Sequence, residues 1–566
     1  MRAALYLASL FALASSNSDY EDHEAPPRAI TQNGTVQGFR LPDFKEDVFL
    51  GIPFAAPPVG DLRLRRPQPY LNTWEGVKNA TVRSPSCPGY AGFDVGLALG
   101  EDCLTLDVVR PSGTTAGHRL PVLVWIYGGG FDAGGSADSR YNTSYLVNAS
   151  VAIDKPIIVI SINYRVGGWG FLASEEVVAA GELNIGLFDQ RLALKWIQEN
   201  VWAFGGDPKK VTISGESAGG FSVGYHLTAF DGKHDGLFRA AILESGNALG
   251  PGINSIAQLN TTYQPTFDNV TETVGCSEAA DPLDCLRTVP YETLFDAFSP
   301  FVMTPVLDGE FLTQLPSTSF SLGKVAPVAI LAGSNTDEGT ASFFGPRNSL
   351  NTSRDISAMV SGMGIGLSNS TVSKIMELYP DDPTQGCPFN TGSERFADQG
   401  YMYKRGAAIV GDEVIHAGRR FTTKYYASLP NHVRNPVYSY RFDQPPWNGI
   451  EEYVATVAPV FATHYSEEKI CFVFNIDPSA STANSNWIGP HSEYYDLSNL
   501  MSRSWISFVH DLNPNHHGVW GTPIWPEYSN SPSNFVFRVG KSEIEVDNWR
   551  SAQLEFWSTI WGQLKT

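Results

Sequence analysis

One junction restricts this chain more than any other: the apolar, β-branched run Val211-Thr212-Ile213-Ser214 passes without a spacer into Gly215-Glu216-Ser217-Ala218-Gly219. A buried strand that ends in Gly-x-Ser-x-Gly has to turn sharply into a helix. Small residues two before and two after the serine are required because larger side chains would collide in the turn. The junction therefore predicts a strained Ser217 at the top of a sheet. With 53 glycines in the chain the five-residue pattern alone is weak, and it occurs twice. Gly220-Phe221-Ser222-Val223-Gly224 has no strand before it and falls inside the expected helix, where Ser222 points away from the Ser217 side. Ser217 is the candidate nucleophile.

Short apolar runs of the same kind stand at 122–127, 157–162, 240–243 and 328–331, with a further strand expected at 437–442. Such runs need no polar alternation when helices cover both faces of a mainly parallel sheet. Residues 189–201 have helical spacing of Leu192, Leu194, Trp196 and Ile197, and a second helix follows Gly219. Strand and helix alternate, so the class is α/β, with loop and helical insertions between 340 and 462. The composition is 42% hydrophobic, 12% aromatic and 17% charged. That suffices for a large core, and no linker or repeat divides the chain, so residues 17–566 read as one domain. The stretch 547–564 places Trp549, Phe556, Trp557, Ile560, Trp561 and Leu564 at helical spacing. It reads as a docked amphipathic helix and not as an anchor.

Met1-Arg2, an apolar stretch over 3–14 and the small residues Ala12 and Ala14 describe a secretory leader over residues 1–16. No other run is long and apolar enough to span a membrane. Sequons at Asn33, Asn79, Asn142, Asn148, Asn260, Asn269, Asn351 and Asn369 agree with a secreted, glycosylated protein. Of the six cysteines, proximity favours pairing Cys87 with Cys103 and Cys276 with Cys285. Cys387 and Cys471 either pair or remain buried thiols. A net charge of -20 disfavours nucleic acid and anionic membrane as partners and suits a neutral or weakly charged substrate.

Beyond the junction, the segments Phe49-Leu50-Gly51-Ile52-Pro53-Phe54-Ala55-Ala56-Pro57-Pro58-Val59-Gly60, Glu101-Asp102-Cys103-Leu104, Tyr127-Gly128-Gly129-Gly130-Phe131, Asn163-Tyr164-Arg165 and Phe204-Gly205-Gly206-Asp207-Pro208 stand in fixed order. Together with Gly215-Glu216-Ser217-Ala218-Gly219 they resemble the type B carboxylesterase and lipase family, which includes cholinesterases and fungal lipases. The resemblance implies the α/β-hydrolase fold and hydrolysis of small-molecule or lipid carboxylic esters. By resemblance Gly129 and Gly130 are oxyanion donors, joined by the N–H of Ala218 after the nucleophile. The triad order Ser, acid, His puts the acid at Glu338 of Asp337-Glu338-Gly339, with Asp337 as a loop-binding neighbour. Seven histidines follow Glu338, and the family's base matches His464 in Ala462-Thr463-His464-Tyr465. His416, in an apparent helix over 413–421, reads as packed or solvated.

No metal or organic cofactor is expected, since no Cys-x-x-Cys pair or His-Glu-x-x-His motif is present. The family also holds adhesion proteins with this fold and an incomplete triad. Here all three triad positions and the glycine loop are present, which favours an enzyme, and the resemblance points to esters before amides. Phe131, Trp169, Phe171, Phe221, Phe343 and Phe344 are candidates for an aromatic acyl pocket. The loop closed by Cys87 and Cys103 is short beside the lids of similar lipases, which predicts an active site open in water.

Overall fold

The computed structural model describes residues 25–90, 97–250, 253, 261, 263–340, 348–363, 367–431, 433–445 and 491–566. The expected leader, His464, Cys471, Asn260, Phe343 and Phe344 lie outside them. Along the chain the strands are β1 (Arg28–Thr31), β2 (Gly34–Gln37), β3 (Phe39–Leu41), β4 (Glu46–Pro53), β5 (Val77–Asn79), β6 (Thr105–Pro111) and β7 (Leu120–Ile126). They continue as β8 (Ile158–Ile162), β9 (Gly206–Glu216), β10 (Ala240–Glu244), β11 (Ala329–Asn335), β12 (Val437–Phe442), β13 (Ser533–Phe537) and β14 (Glu543–Val546).

Strands β1, β2 and β5 form a small sheet, and the rest form one sheet in the order β14-β13-β12-β11-β10-β9-β7-β8-β6-β4-β3. Every pair from β8 through β7, β9, β10, β11 and β12 to β13 is parallel. Antiparallel strands complete the two ends. Every residue of β7, β8, β10 and β11 is buried, as strands covered on both faces must be. The helices Ile185–Asn200 and Ala218–Gly232 flank this centre and are themselves buried along most of their length.

Register places the functional segments side by side. Glu244 at the end of β10 lies opposite Glu216 of β9 and Gly333 of β11. The segments that leave β9 and β10 therefore start at one level and β11 runs two residues further, with adjacent strands about 4.8 Å apart. Behind them, buried Arg165 holds Asp189 with its Nε at 2.8 Å and Nη2 at 2.7 Å, tying the segment after β8 to the helix Ile185–Asn200. Arg63 grips Glu101 in the same two-pronged way beside the Cys87–Cys103 bridge.

Two elements differ from the sequence-based expectation. The C-terminal helix is Ser551–Leu564 and not 547–564, because the Asp547 carboxylate is taken by Arg419 and Arg420, and Arg550 has a left-handed φ of 51°. The expected helix over 413–421 is a π-helical turn, Asp412–His416, running into an α-helix, Ala417–Ser428. A π turn takes in one extra residue and re-aims the side chains around it.

Candidate active site

Ser217 has φ 52° and ψ -122°, outside the regions open to ordinary side chains. Two glycines make this possible. A Cβ on Gly215 would lie 2.5 Å from the carbonyl carbon of Gly219, and one on Gly219 would lie 2.0 Å from the Ile126 oxygen. The Ser217 N–H donates to Glu244 O at 3.0 Å, which anchors the turn to β10. Ser217 is partly exposed while the residues before and after it are buried. Ser222 is different: it is fully buried, its Oγ donates to Ala218 O at 2.8 Å and accepts from Gln190 Nε2 at 3.0 Å.

The glycine loop lies against this turn. A Cβ on Gly128 would come within 2.7 Å of Glu216 O and 3.1 Å of Ser217 Cβ. Gly129 and Gly130 have φ of 109° and 68°, conformations that glycine adopts at little cost. Gly130 is exposed, and a Cβ built on it meets nothing within 4 Å. The loop is held from behind by Tyr127 and Tyr164, whose hydroxyls donate to each other's carbonyl oxygens at 2.6 and 2.9 Å. Ala218 is buried at the N-terminal end of its helix, where the orphan N–H groups of a helix lie.

Glu338 follows β11 in a short 3-10 turn and is completely buried. Its Oε1 accepts from Ser245 Oγ at 2.7 Å and from the Asn335 N–H at 2.7 Å. Gly339 allows the turn to pack down, since a Cβ there would lie 1.8 Å from Ala407 O. Asp337 points elsewhere: its Oδ1 accepts from the Phe389 N–H at 2.8 Å and faces the Cys387 thiol. Burial raises the Asp337 carboxyl to about 7. Ser245 was not singled out in the sequence. It stands just past β10 at a left-handed φ of 46°, and a serine before glycine at a buried strand end is the signal that marks it.

His464 and His432 lie outside the described residues. His416 is buried, shares a 3.1 Å hydrogen bond through Nδ1 with Ser334 Oγ and packs edge-on to Trp549. Burial and the nearby Arg419 and Arg550 hold its pKa well below the usual value, so it is a neutral core residue. His510, in the last turn of the helix Ser492–Asp511, and His516 beyond it both bind Asp511, and His517 accepts from the Val519 N–H. His491 stands exposed at the start of that helix.

Cys87 is bonded to Cys103 and Cys276 to Cys285, while Cys387 is a buried thiol. Phe131 packs on Phe171 and Tyr225, and Trp169 donates to Tyr90 Oη, so Phe131, Trp169, Phe171 and Phe221 are buried in the core beside the site. Of the sequon asparagines, Asn79, Asn148, Asn269, Asn351 and Asn369 are exposed, Asn142 is half-buried and Asn33 is buried. Among the described residues no cluster of His, Cys, Asp and Glu is arranged to hold a metal ion, and no helix is long and apolar enough to cross a membrane.

The glycine loop, the strained Ser217 and the buried Glu338 thus follow β7, β9 and β11 of one parallel sheet. The family model of the carboxylesterase family matches residues 25–557. The chain belongs to the carboxylesterase family. Lipase 4 of Diutina rugosa is 36% identical across 98% of this carboxylesterase and 97% of its own length. Secreted lipase 1 of Botryotinia fuckeliana (strain B05.10) is 34% identical, covering 97% and 96%. The crystal structure of Aspergillus niger EstA superposes with a TM-score of 0.82 at 28% identity, over 96% of this chain and 99% of that one. This carboxylesterase has the α/β-hydrolase fold and is a carboxylic ester hydrolase.

Proposed function

We propose that this carboxylesterase is a secreted enzyme that cleaves carboxylic esters through an acyl-enzyme on Ser217, with His464 as general base and Glu338 as the acid that orients it. The observation that carries this reading is the nucleophile turn: Ser217 at φ 52°, partly exposed, with the glycine loop packed against its Cβ and the buried Glu338 two strands away. His464 takes the proton as Ser217 attacks the ester carbonyl, and Glu338 stabilises the imidazolium. The N–H groups of Gly129, Gly130 and Ala218 receive the oxyanion, each such donor being worth about 3 kcal/mol in the transition state. Departure of the alcohol leaves the acyl-enzyme, which water hydrolyses.

Residues 1–16 act as the leader and 17–566 as the catalytic domain. Extracellular release is supported by the apolar N-terminus and by relatives named as secreted. Lipid esters are within the substrate class, because the relatives are lipases, but the short Cys87–Cys103 loop argues for a site open in water. Turnover of a short-chain nitrophenyl ester by the purified protein and its Ser217→Ala variant tests the reading. Equal turnover by both would overturn it.

A further inference from the structure

Two of the sequons lie on the small sheet, and the structure puts their asparagines on opposite sides of it. Asn33, in the turn between β1 and β2, is buried. Its Nδ2 donates to Tyr70 O at 2.7 Å and to Asn72 O at 3.2 Å. An asparagine amide has two N–H donors, so both are in use. An N-linked sugar leaves only one.

Asn79 is exposed on β5, an edge strand of this sheet. In register, Arg28 pairs with Gln37 and Gln37 with Asn79, while Ile30 pairs with Thr35 and Thr35 with Val77. The alternation of burial along β1 and β5 sets both rows on the outward face. Ile30 is 66% exposed and Val77 42%, with Val82 at 78% just beyond the strand. The outer edge next to Asn79 is already bonded to β4 through Leu50 N–H to Ala80 O at 2.8 Å, so what is left open is the apolar face, and an exposed apolar face favours association with other chains unless something covers it. Asn79 stands two residues from Val77 on that same face, about 7 Å away. The hydroxyl residue of its sequon, Thr81, is also exposed.

We propose that Asn79 carries an N-linked glycan that covers the Ile30–Thr35–Val77 row, and that Asn33 remains unmodified. The proposal rests on the extracellular reading, since the donor is a lipid-pyrophosphate-linked oligosaccharide of the secretory pathway. In the transfer the anomeric carbon breaks its bond to the phosphate oxygen and bonds to Asn79 Nδ2, whose displaced proton goes to the departing pyrophosphate. The sugar is bulky and strongly hydrated, so it shields the apolar row.

The test uses the full chain behind a foreign secretion leader in a yeast host, alongside the chain with its own N-terminus alone. The first arm delivers the protein to the glycan donor whatever residues 1–16 do, so a failed leader and a failed proposal are told apart. Peptide mass spectrometry after enzymatic deglycosylation in ¹⁸O water should label Asn79 and leave Asn33 unlabelled. Thr35→Ala should leave occupancy of the β1–β2 turn peptide unchanged. Asn79→Gln and Thr81→Ala should each keep ester turnover per folded molecule while raising light scattering and apolar-dye binding several-fold. Adding Ile30→Thr and Val77→Thr to Asn79→Gln should reverse that rise. An unmodified Asn79, a modified Asn33 in active protein, or unchanged scattering in both glycan-free variants would overturn the proposal.

Discussion

Ser245 Oγ donates a 2.7 Å hydrogen bond to Oε1 of Glu338, joining the residue past β10 to the 3-10 turn that follows β11. Both are fully buried, so neither group exchanges this bond for one to water. The bond limits where the Glu338 carboxylate can point. Ser245→Ala should lower kcat by about tenfold, the worth of one bond to a charged group, with KM nearly unchanged. Ser245→Gly, which relieves the left-handed φ, should regain stability but not rate. A kcat equal to wild type in both variants would remove Ser245 from the site.

Ser217→Ala should reduce kcat on a nitrophenyl ester by on the order of a millionfold with the melting temperature preserved. Ser222→Ala should keep most turnover but lose about 1 to 2 kcal/mol of stability, because Gln190 and the Ala218 carbonyl lose a buried partner. Steady-state kinetics and thermal melts on the two variants separate these outcomes.

Glu338→Gln should cost on the order of 10⁴ in kcat by disturbing the imidazole tautomer and its charge. Asp337→Asn should leave kcat within a few-fold, since Asp337 faces Phe389 and Cys387. The reverse ranking would transfer the acid role to Asp337.

Burial raises the carboxyls of Glu46 and Glu413 from 4.5 to about 8. Ser144 and the Asn148 backbone lie close enough to Glu46 to oppose the rise, but burial outweighs them. Between about pH 4.5 and pH 8 the folded state keeps a proton at each site that the unfolded state has lost. Stability therefore falls as pH rises through that window and levels off above it. Glu46→Gln removes one such group and should flatten the fall. Melting temperatures of both proteins from pH 4 to pH 9 should diverge toward the alkaline end, with the variant the more stable; parallel curves would refute the effect.

Cys87 and Cys103 are 16 positions apart and bonded, so the loop between them has little reach. Hydrolysis of a partly soluble triglyceride should rise smoothly through its saturation point. A steep increase confined to substrate beyond saturation would show that another segment covers the site.

The nucleophile turn at Ser217 was legible in the sequence because its causes are local: a β-branched run, then glycines where a Cβ has no room. The parallel centre was legible for a similar reason, since strands buried on both faces read as unbroken apolar runs. Resemblance of ordered segments points to Glu338, His464 and the glycine loop as site residues, which periodicity alone does not mark, and of these His464 lies outside the described residues. Tertiary structure decided what depends on partners far along the chain. Ser245 is one serine among many until β10 and β11 set it beside Glu338, 93 positions away. The C-terminal helix begins at Ser551 because Arg419 and Arg420 claim Asp547 across more than a hundred residues. Asn33 and Asn79 carry the same three-residue signal, yet one amide is spent on Tyr70 and Asn72 while the other faces solvent. Which side of a strand a residue faces is set by strand pairing and packing, and a three-residue signal holds no information about either.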